Sequence, residues 1–166
     1  MDYKDYTKAQ LLQLIVDTED YDEMHSAIEE LVQRSSDAQL VQFIEEVFYY
    51  DVIPYALDEL MKRSSAKAFD LGMDILIHDK GDQFLQACVW STCFDFDENQ
   101  TVTLMRQRTI TMEWSLVETV FLSMSHYETN AFPPAFQKLI IDSYNHMPEE
   151  KKAECSEMFH SFSEKY

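Results

Sequence analysis

At 166 residues with 46% apolar content, the chain is long enough to bury one sizeable core and has the composition of a folded globular protein. Two glycines are too few for the turns of a β-sandwich or the phosphate loop of a nucleotide-binding α/β fold, so helices are expected throughout. Thirteen Lys and Arg against 31 Asp and Glu give a net charge of −18, which disfavours direct binding to phosphate backbones. Such charge either keeps a small protein soluble or complements a strongly basic partner and speeds its association.

In chain order, residues 1–6 form a polar lead-in, and Thr7 is a good N-cap for a helix with Leu11, Leu12, Leu14 and Ile15 on its apolar face. This helix should end near Asp17. An acidic turn over 18–23 then leads into a second helix striped by Met24, Ala27, Ile28, Leu31 and Val32. Ser36 or Asp37 caps the third, with apolar positions at Leu40, Val41, Phe43, Ile44, Val47 and Phe48. Pro54 suits the first turn of the fourth, where Ala56, Leu57, Leu60 and Met61 continue the stripe. Ser64 or Ser65 opens a fifth helix, and 78–82 reads as a turn with Gly81 as its left-handed residue.

The second half continues in kind. A helix over about 84–90 leads into an acidic connection, 94–99, and further helices are expected through 102–105 and through Leu116, Val117, Val120, Phe121 and Met124, the latter after Thr111 or Glu113. Phe132-Pro133-Pro134 breaks the chain before a helix to about Asn145, and Pro148 opens the last one.

One stretch occurs twice. Residues 27–36 read A-I-E-E-L-V-Q-R-S-S and residues 56–65 read A-L-D-E-L-M-K-R-S-S, twenty-nine positions apart, with only conservative differences. A period near thirty with two helices per unit predicts an all-α, right-handed α-solenoid of about five degenerate two-helix repeats, one domain over 1–166. A third copy is worn: Phe84 to Val89 repeats the apolar pattern of Ala27 to Val32, and Trp90 takes the place of Gln33 and Lys62.

Little points to catalysis. A Gly-rich phosphate loop, a Gly-x-Ser-x-Gly elbow and a His-Glu-x-x-His helix are all missing, and the histidines are scattered without an i, i+4 pair. The chain is therefore expected to be no enzyme, without catalytic residues, metal or cofactor. Asp95-Phe96-Asp97-Glu98-Asn99 lacks the glycine and distal glutamate of a calcium loop; its Phe residues should tuck down while the carboxylates face water. Cys88, Cys93 and Cys155 make no disulfide framework, Cys88 reads as a core residue, and Cys93 lies near a turn. No stretch approaches a membrane span and no apolar leader opens the chain, so a cytoplasmic protein is expected.

What remains is a surface. Off the apolar stripe and in the turns lie Asp22, Glu29, Glu30, Tyr50, Asp51, Tyr55, Asp58, Glu59, Asp82, Trp90, Asp95, Asp97 and Glu98. Carboxylates interleaved with Tyr and Trp suit a partner rich in Lys and Arg, the aromatics serving as anchors. Any one of them read alone is an ordinary solvated helix face.

The duplicated A-I-E-E-L-V-Q-R-S-S and A-L-D-E-L-M-K-R-S-S, the helix end Leu85-Gln86-Ala87-Cys88-Val89-Trp90 with its acidic continuation, and Ser115-Leu116-Val117-Glu118-Thr119-Val120 together resemble the HEAT/armadillo-like immunity proteins of bacterial toxin systems, including contact-dependent growth inhibition. The resemblance covers most of the chain as a pattern and carries no catalytic residue. It implies binding to one cognate protein toxin, a basic RNase or DNase domain, and occlusion of its active site. A helical-repeat adaptor that docks a peptide or partner helix is the alternative.

Overall fold

A computed structural model describes residues 3–46, 51–106, 116, 118–120 and 133–164. Among them every regular element is helical and no strand occurs. The chain forms two compact units, Met1–Leu71 and Gly72–Tyr166.

The first unit opens with a 3-10 turn, Tyr3–Asp5, followed by α1 (Lys8–Asp17), α2 (Tyr21–Gln33), α3 (Asp37–Glu45) and α4 (Val52–Arg63). Helix α1 packs on α2, α3 on α4, and α2 on α4. Its order is periodic down to single hydrogen bonds. Thr7 and Ser36 cap α1 and α3 with the same reciprocal capping box, in which Gln10 and Gln39 at the third helical position return a bond to the cap backbone. The cap distances are 2.8 Å from Thr7 N to Gln10 Oε1 and 3.1 Å from Ser36 N to Gln39 Oε1. Leu11 and Leu40, Ile15 and Ile44, Ala27 and Ala56, Ile28 and Leu57, and Leu31 and Leu60 are buried in pairs one period apart.

The doubled Arg-Ser-Ser has a physical role. A helix leaves its last carbonyls without intrahelical donors. Arg34 Nη1 donates to Tyr6 O at 2.7 Å, and Arg63 Nη1 donates to Ser35 O at 2.7 Å, again one period apart. Arg63 Nη2 also reaches Gln33 O, the last carbonyl of α2, at 3.2 Å. Each arginine leans on the glutamate one turn earlier: Glu30 lies 3.6 Å from Arg34, and Glu59 lies 2.8 Å from Arg63. The first serine of the first copy, Ser35, is buried and donates to Leu31 O at 2.8 Å; the second, Ser36, is the N-cap of α3.

Helix α5 (Ser65–Ile77) carries the boundary between the units. The second unit continues with α6 (Gln83–Phe96), α7 (Glu98–Met105), helical backbone at 116 and 118–120, α8 (Pro134–His146) and α9 (Glu149–Ser163). Helix α6 packs on α7, and α7 on α8. Gly81 has φ 75°, as expected of a left-handed turn residue, and Asp79 also lies there with φ 57°. An aspartate tolerates that region better than most residues. Here its carboxylate accepts from the buried Gln86 Nε2 at 2.7 Å.

The structure corrects the register of the third copy. Leu85, Gln86 and Val89 are buried where Ala27, Ile28 and Leu31 are, two whole periods earlier, while Phe84 is 63% exposed. Trp90 therefore replaces Val32 and Met61 on the inward stripe, not Gln33 and Lys62 on the outer face. It is fully buried, stacked on Phe94 at 5.2 Å, with Phe94 in turn 5.6 Å from Phe136 of α8. The expected acidic connection over 94–99 is instead the end of α6, the single residue Asp97, and the start of α7. Phe94 is tucked down, but Phe96 is 45% exposed because it lies on the outer side of the same helix. Cys93 is buried within α6 rather than near a turn, and Cys88 is half-buried. The expectations for Val47, Phe48, Thr111, Glu113 and most of the helix around Leu116 fall outside the described residues.

Candidate functional site

The thirteen residues singled out from sequence separate into two groups. Asp22, Glu29, Asp51, Tyr55 and Asp58 lie on the exposed or half-exposed sides of α2 and α4 and at the N-cap of α4. Asp22 and Asp51, and likewise Glu29 and Asp58, are one period apart on two helices that pack together, so one acidic pattern is written twice on a single face.

A second group carries structure. Glu30 and Glu59 brace Arg34 and Arg63, which tie the ends of α2 and α4 to earlier backbone carbonyls, and their side chains are only 21% and 18% exposed. The Arg63 hydrogen bond, with help from Lys62, holds the Glu59 carboxyl below the usual carboxylate range, and Glu59 in return holds the guanidinium proton more firmly. Asp82 and Asp97 are N-caps, accepting from Leu85 N and Gln100 N at 2.8 Å each. Trp90 is core, out of a partner's reach. Asp95 is exposed on α6, Glu98 is half-buried in the first turn of α7, and Tyr50 lies outside the described residues.

A further cluster joins Glu29 and Tyr55 to two residues not singled out from sequence, Tyr21 and His25. Tyr21, His25 and Glu29 follow one another at four-residue steps on α2 and so share one side of it. Tyr21 and His25 stack in parallel with centroids 6.2 Å apart, and His25 meets Tyr55 of α4 edge-on at 5.1 Å. His25 Nδ1 is hydrogen-bonded to Tyr55 Oη at 2.5 Å, and His25 Nε2 lies 3.6 Å from Glu29. Tyr21 is nonetheless 68% exposed. The four-residue step was visible in the sequence; the partner Tyr55, thirty positions away, becomes a neighbour only once α2 lies on α4.

The carboxylates of Asp22, Glu29, Asp51 and Asp58 on these helices are exposed to water. Among the described residues no group of three His, Cys, Asp or Glu side chains is placed to hold a metal ion, and no helix is long and apolar enough to cross a membrane. Comparison with known proteins gives no match to any family model, curated protein or solved structure.

Proposed function

We propose that the chain is a non-enzymatic inhibitor that binds a basic protein through the acidic face of α2 and α4. In keeping with the resemblance of its repeats, we take it for an immunity protein acting in the cytoplasm against a toxin nuclease. The observation that carries the reading is the repeated pair Asp22/Asp51 and Glu29/Asp58 on two packed helices, which also carry the exposed Tyr21 and the half-buried Tyr55. A nuclease cleft is basic because it must hold phosphates, and an acidic surface competes for the same ground. Inhibition would come from occlusion, with the net charge of −18 steering the encounter. The identical caps and arginine ties at a twenty-nine-residue spacing support a solenoid of HEAT/armadillo-like two-helix repeats, with α2 and α4 as successive second helices.

Co-expression with the product of the adjacent reading frame tests this: the pair should co-purify, and the chain should rescue growth that its neighbour arrests. Association should slow by about tenfold or more from low to high salt while dissociation changes little. Absence of both rescue and complex would overturn the reading.

The adaptor reading has its own observation, a cleft of about 380 Å³ lined by Lys8, Leu12, Leu31, Gln39, Gln42, Phe43 and Glu46. Its apolar floor suits one side chain of a docked segment. Phe43→Asp would abolish that mode and leave the acidic face intact.

A further inference from the structure

We infer that the Tyr21–His25–Tyr55 ladder is a preformed cradle for an arginine side chain of the partner, an inference that rests on the basic-partner reading above. The rings are already ordered. His25 is stacked on Tyr21 of its own helix and hydrogen-bonded at 2.5 Å to Tyr55 of the neighbouring one. Binding there therefore costs little further side-chain entropy, which is what separates an anchor from an ordinary surface residue.

The chemistry of the occupant follows from what surrounds the rings. Aromatic faces carry negative potential, and Tyr21 leaves most of its surface in water. Glu29 closes the ladder at one end, 3.6 Å from His25. Helix α2 contains no Lys or Arg of its own, and Arg34 just beyond it is engaged with Glu30 and Tyr6 O. An anion would be repelled by this surface. An apolar side chain would strip water from Glu29 without replacing it. An arginine satisfies both demands: its stem lies along the exposed Tyr21 while its planar guanidinium meets the His25 ring and its N–H fork serves Glu29 beside it. An ammonium is more tightly hydrated and has no plane to stack, so lysine fits less well.

The test uses two probes of equal charge, nona-arginine and nona-lysine, titrated calorimetrically at low salt into the full chain. The cradle predicts about tenfold tighter binding of nona-arginine. Tyr21→Leu should bring the two peptides to within about twofold, and Glu29→Gln should weaken nona-arginine more than nona-lysine. Tyr55→Phe keeps the ring and releases His25, so it should lower the selectivity without unfolding the chain, checked by circular dichroism. Glu157→Gln, on α9, should leave the ratio as in the wild type. Equal affinity for the two peptides, or a preference that survives Tyr21→Leu in a folded chain, overturns the cradle and leaves the basic-partner reading standing. Failure of both peptides to bind overturns the cradle and the basic-partner reading together.

Discussion

Arg63 makes four polar contacts from a partly exposed position, and replacing it tests whether arginine ties α4 to the end of α2. Its guanidinium donates to Ser35 O at 2.7 Å and Gln33 O at 3.2 Å, and it pairs with Glu59 at 2.8 Å and Asp37 at 3.4 Å. Hydrogen bonds from a charged donor contribute about 1.5–3 kcal/mol each, and exposed ion pairs about 0.2–1 kcal/mol. With the side chain 28% exposed, water replaces part of what is lost, and releasing an ordered arginine recovers up to about 2 kcal/mol of rotamer entropy. Arg63→Met should therefore cost about 2–3 kcal/mol. Arg34 makes one carbonyl bond and one looser pair at 3.6 Å, so Arg34→Met should cost about 1 kcal/mol. In urea, with m near 2 kcal/mol/M, the midpoint of the helical signal should fall by about 1–1.5 M for the first variant and about 0.5 M for the second, with m unchanged. R63K keeps the charge but cannot span two carbonyls, and should recover less than half the loss. An Arg63→Met midpoint within about 0.2 M of wild type, or equal losses at the two arginines, would refute the reasoning.

Glu59, held below its ordinary range by Arg63, adds stability that is full above the usual glutamate pKa near 4.5 and is lost as pH falls through the lower folded value. The loss of stability between pH 5 and pH 3 should accordingly be shallower in Arg63→Met than in wild type, as followed by urea midpoints at each pH. Trp90→Ala should cost about 3–5 kcal/mol, because the indole is fully enclosed and stacked on Phe94, while Trp90→Phe should cost less than half of that. Burial pushes the Cys155 thiol up and Cys93 is fully enclosed, so a thiol reagent at pH 8 should label Cys88 first and the other two only on unfolding; equal rates would contradict the burial. Ser36→Ala and Thr7→Ala should each cost about 1 kcal/mol in thermal or urea unfolding, since each removes the same cap one period apart.

The helices were legible because their signals are local. Thr7, Ser36, Gly81, Pro134 and Pro148 each mark a boundary by backbone chemistry that needs no tertiary partner. The third copy was misregistered by one residue because its apolar run, Phe84-Leu85 followed by Ala87-Cys88-Val89-Trp90, fits the stripe in two settings. Only burial chooses between them: the setting that encloses Trp90 leaves Phe84 in water and brings the polar Gln86 inside, where Asp79 and Lys80 O satisfy it. A polar residue is tolerated on the inner stripe because both of its acceptors lie in the preceding turn.

The same distinction governs the site. In the sequence Glu29-Glu30 and Asp58-Glu59 look like interchangeable acidic pairs, and all four invite a functional reading. Helical geometry divides them. Glu30 and Glu59 stand four residues before an arginine and point along the helix toward it, so their charge is spent inside the repeat. Glu29 and Asp58, one residue earlier and about 100° around the helix, turn away from those arginines and face water. The acidity available to a partner is thus about half of what the doubled motif displays, and it sits at alternate members of each pair. Charge-neutralising substitutions should divide the same way: Glu29→Gln and Asp58→Asn should slow association with a basic partner and leave the unfolding midpoint unchanged, whereas Glu30→Gln and Glu59→Gln should lower the midpoint. If all four slowed association equally at unchanged stability, the separation of frame from face drawn from the arginine ties would be wrong.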